Sequence, residues 1–249
     1  MSMPDVVSRD TWLAARKALL AKEKQMTRAR DALNADRRRL PMVKIEKDYE
    51  FEGHAGKATL CDLFAGRRQL ILYHMMWVEC PGCSLLVDNI GHLSHLHARD
   101  TTLVIVSRAP WPELDAFRKR MAWTAPVFSS FGSDFNFDFH VTLDSSVAPV
   151  EHNYMDESEL RKRGVDATGE ASGVSVFLRN AGEVFHTYSS YGRGTDILNG
   201  TLNYLDLTPL GRQEYWEEPG GRANAPASGW WCLHDEYSGS GGDSDHCAP

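Results

Sequence analysis

Two cysteines separated by two residues, in Cys80-Pro81-Gly82-Cys83, are the residues whose type and spacing most directly suggest chemistry. Such a pair can exchange a dithiol for a disulfide or hold a soft metal ion. If the pair begins a helix, the first cysteine meets free N–H groups and a helix dipole that favour a thiolate. The second cysteine, one turn further on, can attack a mixed disulfide formed on the first. The pattern predicts Cys80 as the nucleophile and Cys83 as the resolving thiol, with Pro81 and Gly82 shaping the turn and leaving Cys80 accessible.

The segments around this pair predict the elements that position it. Residues 69–77 are almost continuously apolar, which is typical of a strand buried on both faces. An amphipathic helix is predicted over 84–97, a second buried strand over 101–107 and a helix over 111–123. This order of elements predicts parallel strands joined by a right-handed crossover. The fold class is therefore α/β, with the cysteines in the turn between the first strand and its helix.

Composition limits the function classes. The chain has 249 residues, 42% of them hydrophobic, which is ordinary for a globular protein with a core. There are 27 Lys and Arg against 34 Asp and Glu, and the net charge of −7 argues against nucleic acid as a partner. No apolar run approaches the roughly 18 residues that span a bilayer, and no secretory signal is visible, so no membrane partner is expected. We expect a cytoplasmic, reducing location, where a CxxC pair is more often redox-active or metal-binding than structural.

The first 41 residues predict a helical arm. A helix is expected over 8–40, capped by Ser8 and ended by Pro41. Apolar residues recur in it every seven positions, at Trp12, Leu19, Met26 and Leu33. This stripe either packs on its own domain or forms a homodimer contact.

The rest of the chain predicts shorter elements. Residues 42–52 alternate between apolar and charged side chains, which predicts a half-exposed strand, and the five phenylalanines of 128–139 predict an aromatic-anchored loop. Further predicted elements are a short charged helix at 156–163, a β-hairpin of 174–178 and 184–188, and a last helix at 197–205. The predicted units are an arm at 1–41, a domain at 42–212 and an extended tail at 213–249, in which 238–245 is flexible.

Several longer motifs are similar to those of a known family. They are RRQLILYHMMW before CPGCS, HLHARDTTLVIVSRAPWPELDAFRKRMAW, SSFGSDFNFDF and VFHTYSSYGRGTDILNGTLNYLDLTP. With the N-terminal LLAKEKQMTRARDALNADRRRLPMV, they resemble a bacterial thioredoxin-like family of predicted dithiol-disulfide oxidoreductases, catalogued as a domain of unknown function. The resemblance covers residues 8–212. It implies a thioredoxin-like fold, with a central mixed sheet flanked by helices and an N-terminal helical extension. It also implies a redox-active cysteine pair that needs no further cofactor and acts on a protein or small-molecule disulfide or thiol.

The thioredoxin resemblance implies two further site positions. Thioredoxin has a buried acid six positions before the first cysteine, which accepts the proton of the resolving thiol, and His74 stands there. Histidine has a suitable intrinsic pKa, although a strand histidine bonded to neighbouring backbone is the alternative. Proteins of this fold also usually place a cis-proline before the third core strand, facing the CxxC. Here Ser172 and Gly173 occupy that lead-in, which leaves more room beside Cys80 and can favour metal capture.

Three further groups are candidates for the site. Arg108 follows the second buried strand, at the sheet edge where ligands bind, and could stabilise a thiolate or bind an anionic substrate. The alternative for Arg108 is an ion pair with Glu113 or Asp115. Trp123 and the phenylalanines of 131–139 either line a substrate groove or belong to the core.

A peroxiredoxin-like peroxidase is a second hypothesis. The segment GKATLCDLFAGRRQLILY resembles the lead-in of that branch of the fold. The resemblance implies Cys83 as the peroxidatic thiol and Arg108 as its activator. Peroxiredoxins usually carry a threonine three residues earlier, where this chain has Cys80.

A metal-binding protein is a third hypothesis. Cys80 and Cys83 could hold Cu(I) with Met75, Met76 or a histidine. A zinc site would need two more ligands, for which Cys232 and His234 are candidates of poor spacing. Other residues that could bind metal are assigned simpler roles: His92, His95 and His97 as surface or capping residues, and Cys61 as a small buried apolar residue.

Overall fold

The computed structural model describes residues 4–221, 223 and 230–237. Its helices are α1 (Arg9–Arg37), α2 (Pro81–Asp88), α3 (Ser94–His97), α4 (Trp111–Arg120), α5 (Phe135–Asp138), α6 (Glu157–Lys162) and α7 (Gly200–Leu205). Its strands are β1 (Val43–Lys44), β2 (Glu50–Gly53), β3 (Gly56–Thr59), β4 (Gln69–Met75), β5 (Thr101–Ser107), β6 (Val127–Ser129), β7 (Thr142–Leu143), β8 (Glu151–His152), β9 (Met155–Asp156), β10 (Gly169–Glu170), β11 (Gly173–Asn180) and β12 (Glu183–Tyr191). Two 3₁₀ segments are Asp62–Phe64 and Gly192–Leu198.

Eight strands form one mixed sheet, in the order β1-β12-β11-β4-β5-β6-β2-β3. Strands β4, β5 and β6 are parallel, whereas β11 pairs antiparallel with both β4 and β12. The four central strands β5, β4, β11 and β12, with α2 and α4 after the parallel pair and α7 after the hairpin, have the order and directions of the thioredoxin fold. The predicted fold class, a mixed sheet flanked by helices with an N-terminal helical extension, is confirmed.

The single strand predicted over 42–52 is two strands at opposite edges of the sheet. β1 pairs with β12, whereas β2 pairs with β3 and β6. Between them, the ammonium group of Lys47 binds the carboxylates of Asp134 and Asp138 at 2.7 and 2.8 Å. Lys47, the charged residue that interrupts the apolar row, therefore lies where the chain crosses from one edge of the sheet to the other.

Alternation of side chains along β4 divides the core between the two faces of the sheet. Tyr73 and Met75 belong to the cluster on the α2 face, together with both cysteines of the CPGC turn. Leu70 and Leu72 belong to the opposite cluster, which also contains Phe135. The segment predicted as a loop over 128–139 includes the end of β6 and α5, because its aromatic side chains pack on this second face rather than standing in solvent.

The N-terminal helix α1 has no buried residue. Its apolar stripe is open, since the exposed fractions of Trp12 and Met26 are 47% and 68%. The stripe is not packed on the described part of its own domain, and the homodimer contact stays a prediction. Within the described residues, no helix combines the length and apolarity required to cross a membrane.

The helix predicted over 84–97 is divided into α2 and α3. The side-chain amide of Asn89 ends the first helix, because its Nδ2 donates to the carbonyl of Leu85 and its Oδ1 accepts from the N–H of Thr201, each at 2.7 Å. Gly91 follows and has low helix propensity. The break leaves a loop at the C-terminal end of α2 that lines a cavity together with Ile71 and Tyr73 of β4.

Candidate active site

The turn that carries the cysteines joins β4 to α2. Cys80 is the N-cap residue of α2, and Pro81 lies in its first turn, where a missing N–H is no loss. Glu79, directly before, has a φ of +64°, a left-handed backbone that costs free energy for a residue with a Cβ. The hydroxyl of Ser84 donates to the carbonyl of Cys80 at 2.8 Å. The backbone thus holds both cysteines at the N-terminal end of one helix.

Both cysteines are free thiols and almost buried, with 3% of Cys80 and 1% of Cys83 exposed. The N–H of Cys83 donates to Sγ of Cys80 at 3.3 Å. Sγ of Cys83 accepts from the N–H of Met76 at 3.4 Å and is hydrogen-bonded to the hydroxyl of Tyr73. The thiol of Cys80 is itself hydrogen-bonded to Cys83. Cys80 thus accepts from backbone N–H groups of the first turn of α2, whereas Cys83 accepts from groups of β4 and the residue after it.

These contacts separate the two thiols in acidity. Hydrogen bonds from Cys80, Tyr73 and Met76 hold the pKa of Cys83 below its ordinary value, although burial opposes them. The hydrogen bond to Cys83 and burial raise the pKa of Cys80. Burial also raises the pKa of Tyr73 well above its usual value, so that its hydroxyl remains a donor. The sequence predicts the lower pKa for Cys80 from its place at the helix N-terminus, whereas the side-chain donors in the structure face Cys83. Which cysteine attacks first stays a prediction.

A cavity of about 390 Å³, the cysteine cavity, lies over the pair. The predicted residues Pro81, Gly82 and Ser172 line it. Ser172 lies there because Gly173, the first residue of β11, pairs with the end of β4 at the CPGC turn. Gly173 is itself closely packed, since a Cβ would stand 2.6 Å from the ring of Tyr191.

Residues 230–237, here called the C-terminal strap, close one side of the cysteine cavity. Trp231 lines the cavity, and a Cβ at Gly82 would lie 3.2 Å from its indole nitrogen. Leu233 is buried in the same cluster as the cysteines. The strap has no helix or strand, and it is docked on the domain. The predicted flexible segment 238–245 and Cys247 lie outside the described residues.

Ion pairs fasten the strap beside the turn. Arg120, at the end of α4, binds Asp235 at 2.8 Å and Glu236 at 2.9 Å. The same guanidinium reaches Glu79, the residue before Cys80, at 3.2 Å. The strap, α4 and the CPGC turn therefore meet at one arginine.

Replacing Trp231 with alanine should make the thiols more reactive. Half-burying an indole contributes on the order of 1–2 kcal/mol, so loosening the strap should speed alkylation of Cys80 and Cys83 by iodoacetamide roughly tenfold. The rate is measured by mass spectrometry of the two cysteine peptides. Trp12→Ala, on the exposed face of α1, serves as the control and should keep the wild-type rate. Equal rates in all three proteins would show that the strap does not limit access.

His74 lies on the opposite face of the sheet from the cysteines. Its Nε2 is hydrogen-bonded to the hydroxyl of Ser175 at 2.8 Å, and its ring stacks on Phe135 with centroids 5.6 Å apart. Strand alternation explains this position, because the neighbouring Tyr73 and Met75 take the cysteine face. The structure thus does not bring His74 to Cys83, and the predicted proton transfer has no support. The side chain of β4 that is hydrogen-bonded to Cys83 is instead Tyr73, whose hydroxyl is a donor.

Complete burial lowers the pKa of His74 to about 3, with a smaller effect of His186. The unfolded chain takes up a proton below about pH 6.5, whereas the folded chain holds this imidazole neutral. Stability from this group is therefore complete above about pH 6.5 and is lost as pH falls towards 3. The expected slope is about 1.4 kcal/mol per pH unit. In urea unfolding between about pH 7 and about pH 5, His74→Asn should reduce the pH dependence of the free energy of unfolding by that amount.

Ser175→Ala is the matched control for this slope. It removes the hydroxyl that binds His74 but keeps the buried imidazole. We therefore expect lower stability with an unchanged dependence on pH. If His74→Asn and wild type show the same slope, the buried neutral histidine is not the cause of the acid sensitivity.

Arg108 lies away from the cysteine cavity. Its guanidinium pairs with Glu170 at 3.3 Å and stands over the ring of Phe137, 4.8 Å from the centroid. The suggested partner Asp115 is instead paired with Arg118 and Lys119 of its own helix. The predicted contact of Arg108 with a thiolate is therefore not present in this arrangement.

Trp123 belongs to the core rather than to the cavity wall. Its ring packs edge-on against Phe117, and its indole N–H donates to the carboxylate of Asp88 at 2.7 Å. His234 of the strap binds the other oxygen of Asp88 at 3.0 Å. Trp123 and His234 therefore share the carboxylate of Asp88, which links the core to the end of α2 and to the strap.

The metal hypothesis gains no further ligand from the described residues. No group of three or more His, Cys, Asp or Glu side chains suited to a metal occurs among them. Met76 does line the cysteine cavity, but His234 is bound to Asp88. Cu or Zn at Cys80 and Cys83 stays an untested prediction. Cys61 is half-buried and accepts a hydrogen bond from Arg179 at 3.7 Å, so it is not the fully buried apolar residue expected.

Sequence comparison identifies the family. The model described as "Bacterial protein of unknown function (DUF899)" matches residues 1–237. The chain belongs to this family. The recognition made from the motifs is confirmed, and the match also includes the strap. A search of curated proteins finds no match.

Solved structures with similarity to this family member include several peroxiredoxins. A cysteine-to-serine variant of Xanthomonas campestris peroxiredoxin Q is 16% identical and covers 66% of this chain and 96% of its own, with a TM-score of 0.40. Peroxidoxin BcpB from Mycobacterium tuberculosis is also 16% identical, covering 67% and 96%, with a TM-score of 0.40. A yeast mitochondrial 1-Cys peroxiredoxin is 14% identical, covering 67% and 78%, with a TM-score of 0.40. The fold assignment rests on strand order and direction, not on these similarities.

Sequence reasoning missed two residues of this family member's site, Tyr73 and Trp231, and considered Met76 only as a metal ligand. Tyr73 could have been found from strand parity, since residues 73 and 75 share a face. Met76 acts through its backbone N–H, which no residue type reveals. Trp231 stands in a segment whose composition suggests a loose tail, and only the fold brings it to Gly82.

Proposed function

We propose that the protein is a thiol-disulfide oxidoreductase that cycles Cys80 and Cys83 between dithiol and disulfide. The observation that carries the proposal is the pair of free thiols hydrogen-bonded to each other at the start of α2, beneath a cavity. One thiol has a lowered pKa, and the other remains protonated beside it. This is the arrangement that thiol-disulfide exchange requires, with an ionised attacking sulfur and a second sulfur within reach.

The exchange takes two steps. The Cys83 thiolate attacks one sulfur of a disulfide RSSR, which breaks the S–S bond, forms a mixed disulfide and releases RS⁻. Cys80 then gives its proton to the released thiolate and attacks Sγ of Cys83. The second RS⁻ leaves and takes a proton from solvent. Two electrons pass from the dithiol to the substrate, and the products are two RSH and the Cys80–Cys83 disulfide.

The test is formation and turnover of that disulfide. The reduced protein is treated with oxidised glutathione, and the peptides are examined by mass spectrometry for a Cys80–Cys83 link. We expect the link in wild type, its reversal by dithiothreitol and catalytic disulfide reduction that Cys80→Ser/Cys83→Ser lacks. The reduction potential then gives the direction, about −270 mV for a reductant and about −120 mV for an oxidant. A protein that forms no such link in an oxidising glutathione buffer contradicts the proposal.

A peroxidase is the second candidate, favoured by the donors around Cys83. The Cys83 thiolate would attack a peroxide oxygen, giving a sulfenic acid and water or an alcohol, and Cys80 would condense with it to the disulfide and water. Cys80→Ser should then accumulate the Cys83 sulfenic acid with stoichiometric hydrogen peroxide, trapped by dimedone. If disulfide exchange proceeds but no sulfenic acid forms, the peroxidase is ruled out.

A further inference from the structure

A second cavity adjoins the cysteine cavity on the same face of the sheet. This apolar cleft, of about 360 Å³, begins at Tyr73 and Leu86, which line both spaces. Two adjacent residues also line the two cavities, Asn199 the first and Leu198 the second. The cleft is therefore an extension of the candidate active site.

Hydrocarbon dominates the wall of the apolar cleft. Side chains from three strands and the loop after α2 form its floor and sides, among them Ile71, Ile90, Leu93, Leu103 and Val174. The polar residues are few. Asn89 is bound to Leu85 and Thr201, and the other two, His92 and His95, are exposed histidines. The cleft suits a chain of methylene groups rather than a polar ligand.

Access to the sulfur atoms limits the size of a substrate. Only 3% of Cys80 and 1% of Cys83 is exposed to solvent, and Trp231 lies against Gly82 at the side of the cavity. A disulfide held in a folded protein brings its own backbone to the attacking sulfur, within a few ångströms of the S–S bond. A small linear molecule can enter lengthwise, with its reducible bond beside Cys83.

We propose that the substrate is a low-molecular-weight disulfide that carries a linear alkyl chain. Its sulfur atoms occupy the cysteine cavity, and the chain passes Tyr73 and Leu86 into the apolar cleft. The inference rests on the proposed function, and the exchange is the one given above with R an alkyl group. Each buried methylene should improve kcat/KM about fourfold until the cleft is filled.

The experiment compares 2-aminoethyl alkyl disulfides whose alkyl chain is ethyl or hexyl. The reducible bond is the same in both, so their ratio of kcat/KM reports the chain alone. We expect hexyl to exceed ethyl by roughly 10²-fold in wild type. Leu198→Asp places a charge at the half-exposed wall of the cleft and should collapse this ratio. Ile197→Asp, at the neighbouring exposed residue outside both cavities, should keep it.

A binding measurement separates this inference from the proposed function. The non-reducible thioether analogue of the hexyl compound is titrated into Cys80→Ser/Cys83→Ser by calorimetry. Binding that Leu198→Asp weakens supports the cleft even if no disulfide is turned over, in which case only the proposed function fails. Equal turnover of the ethyl and hexyl compounds, or thioether binding that Leu198→Asp leaves unchanged, overturns the inference while the proposed function stands.

Discussion

Replacing Cys83 with serine should abolish turnover, whereas replacing Cys80 should stop the reaction after its first step. Cys83 accepts hydrogen bonds from Met76 and Tyr73, which lower its pKa, so its loss removes the sulfur that attacks in the proposed reaction. We expect a fall of at least about 10³-fold. In Cys80→Ser, the serine hydroxyl can still donate to Cys83, so the thiolate persists and captures substrate as a stable mixed disulfide.

The measurement is single-turnover capture of a chromogenic disulfide, with mass spectrometry of the adduct. The expected stoichiometry is one adduct per chain in Cys80→Ser and none in Cys83→Ser. Tyr73→Phe should give an intermediate result, because it removes one donor and raises the pH at which the thiolate absorbance appears. The reverse pattern, with capture only in Cys83→Ser, would mean that Cys80 is the attacking thiol, as its place at the helix N-terminus suggests.

The elements that carry the site could be predicted where the sequence pattern is strong and local. The strand over 101–107 has its predicted bounds, and the strand, CPGC turn and helix follow in the predicted order. Apolar runs bounded by turns indicate buried strands, and they predict both β4 and β5. The break after α2 was missed, because the Asn89 amide is bound by Thr201, which is distant in sequence.

The chemistry within the site was harder to predict, because it depends on which face of a strand a residue takes. His74 occupies the position that the thioredoxin resemblance singles out, yet its ring bonds Ser175 on the far face. One residue earlier, Tyr73 reaches Cys83. A shift of one position along a strand exchanges the two faces, so a match by position alone cannot assign a role.

Composition is also a poor guide to the strap. The tail is rich in Gly, Pro and Ser, which predicts an extended segment. Leu233 is nevertheless buried, and Trp231 lies against Gly82 of the CPGC turn. Two apolar anchors and the ion pairs of Arg120 suffice to dock an irregular segment, and none of these partners is close to it in sequence.

Phe135→Ala should cost the fold about 3–5 kcal/mol without changing the chemistry of the cysteines. The ring is fully buried, and its centroid lies 4.9 Å from Phe51, 4.6 Å from Phe139 and 5.6 Å from His74. Truncation leaves a cavity among aromatic groups that cannot collapse onto an alanine. All of these contacts lie on the face of β4 away from Cys83.

Phe131→Ala is the matched control for this prediction, because the same segment leaves Phe131 66% exposed. Its free energy of unfolding in urea should stay within about 0.5 kcal/mol of wild type. Under native conditions, the pH at which the Cys83 thiolate appears should be the same in both variants, since neither side chain touches the cysteine cavity. A loss below about 1 kcal/mol in Phe135→Ala would mean that the second face is not closely packed. A shifted thiolate titration would mean that the two faces of the sheet are coupled through β4, and strand alternation would then not isolate the site.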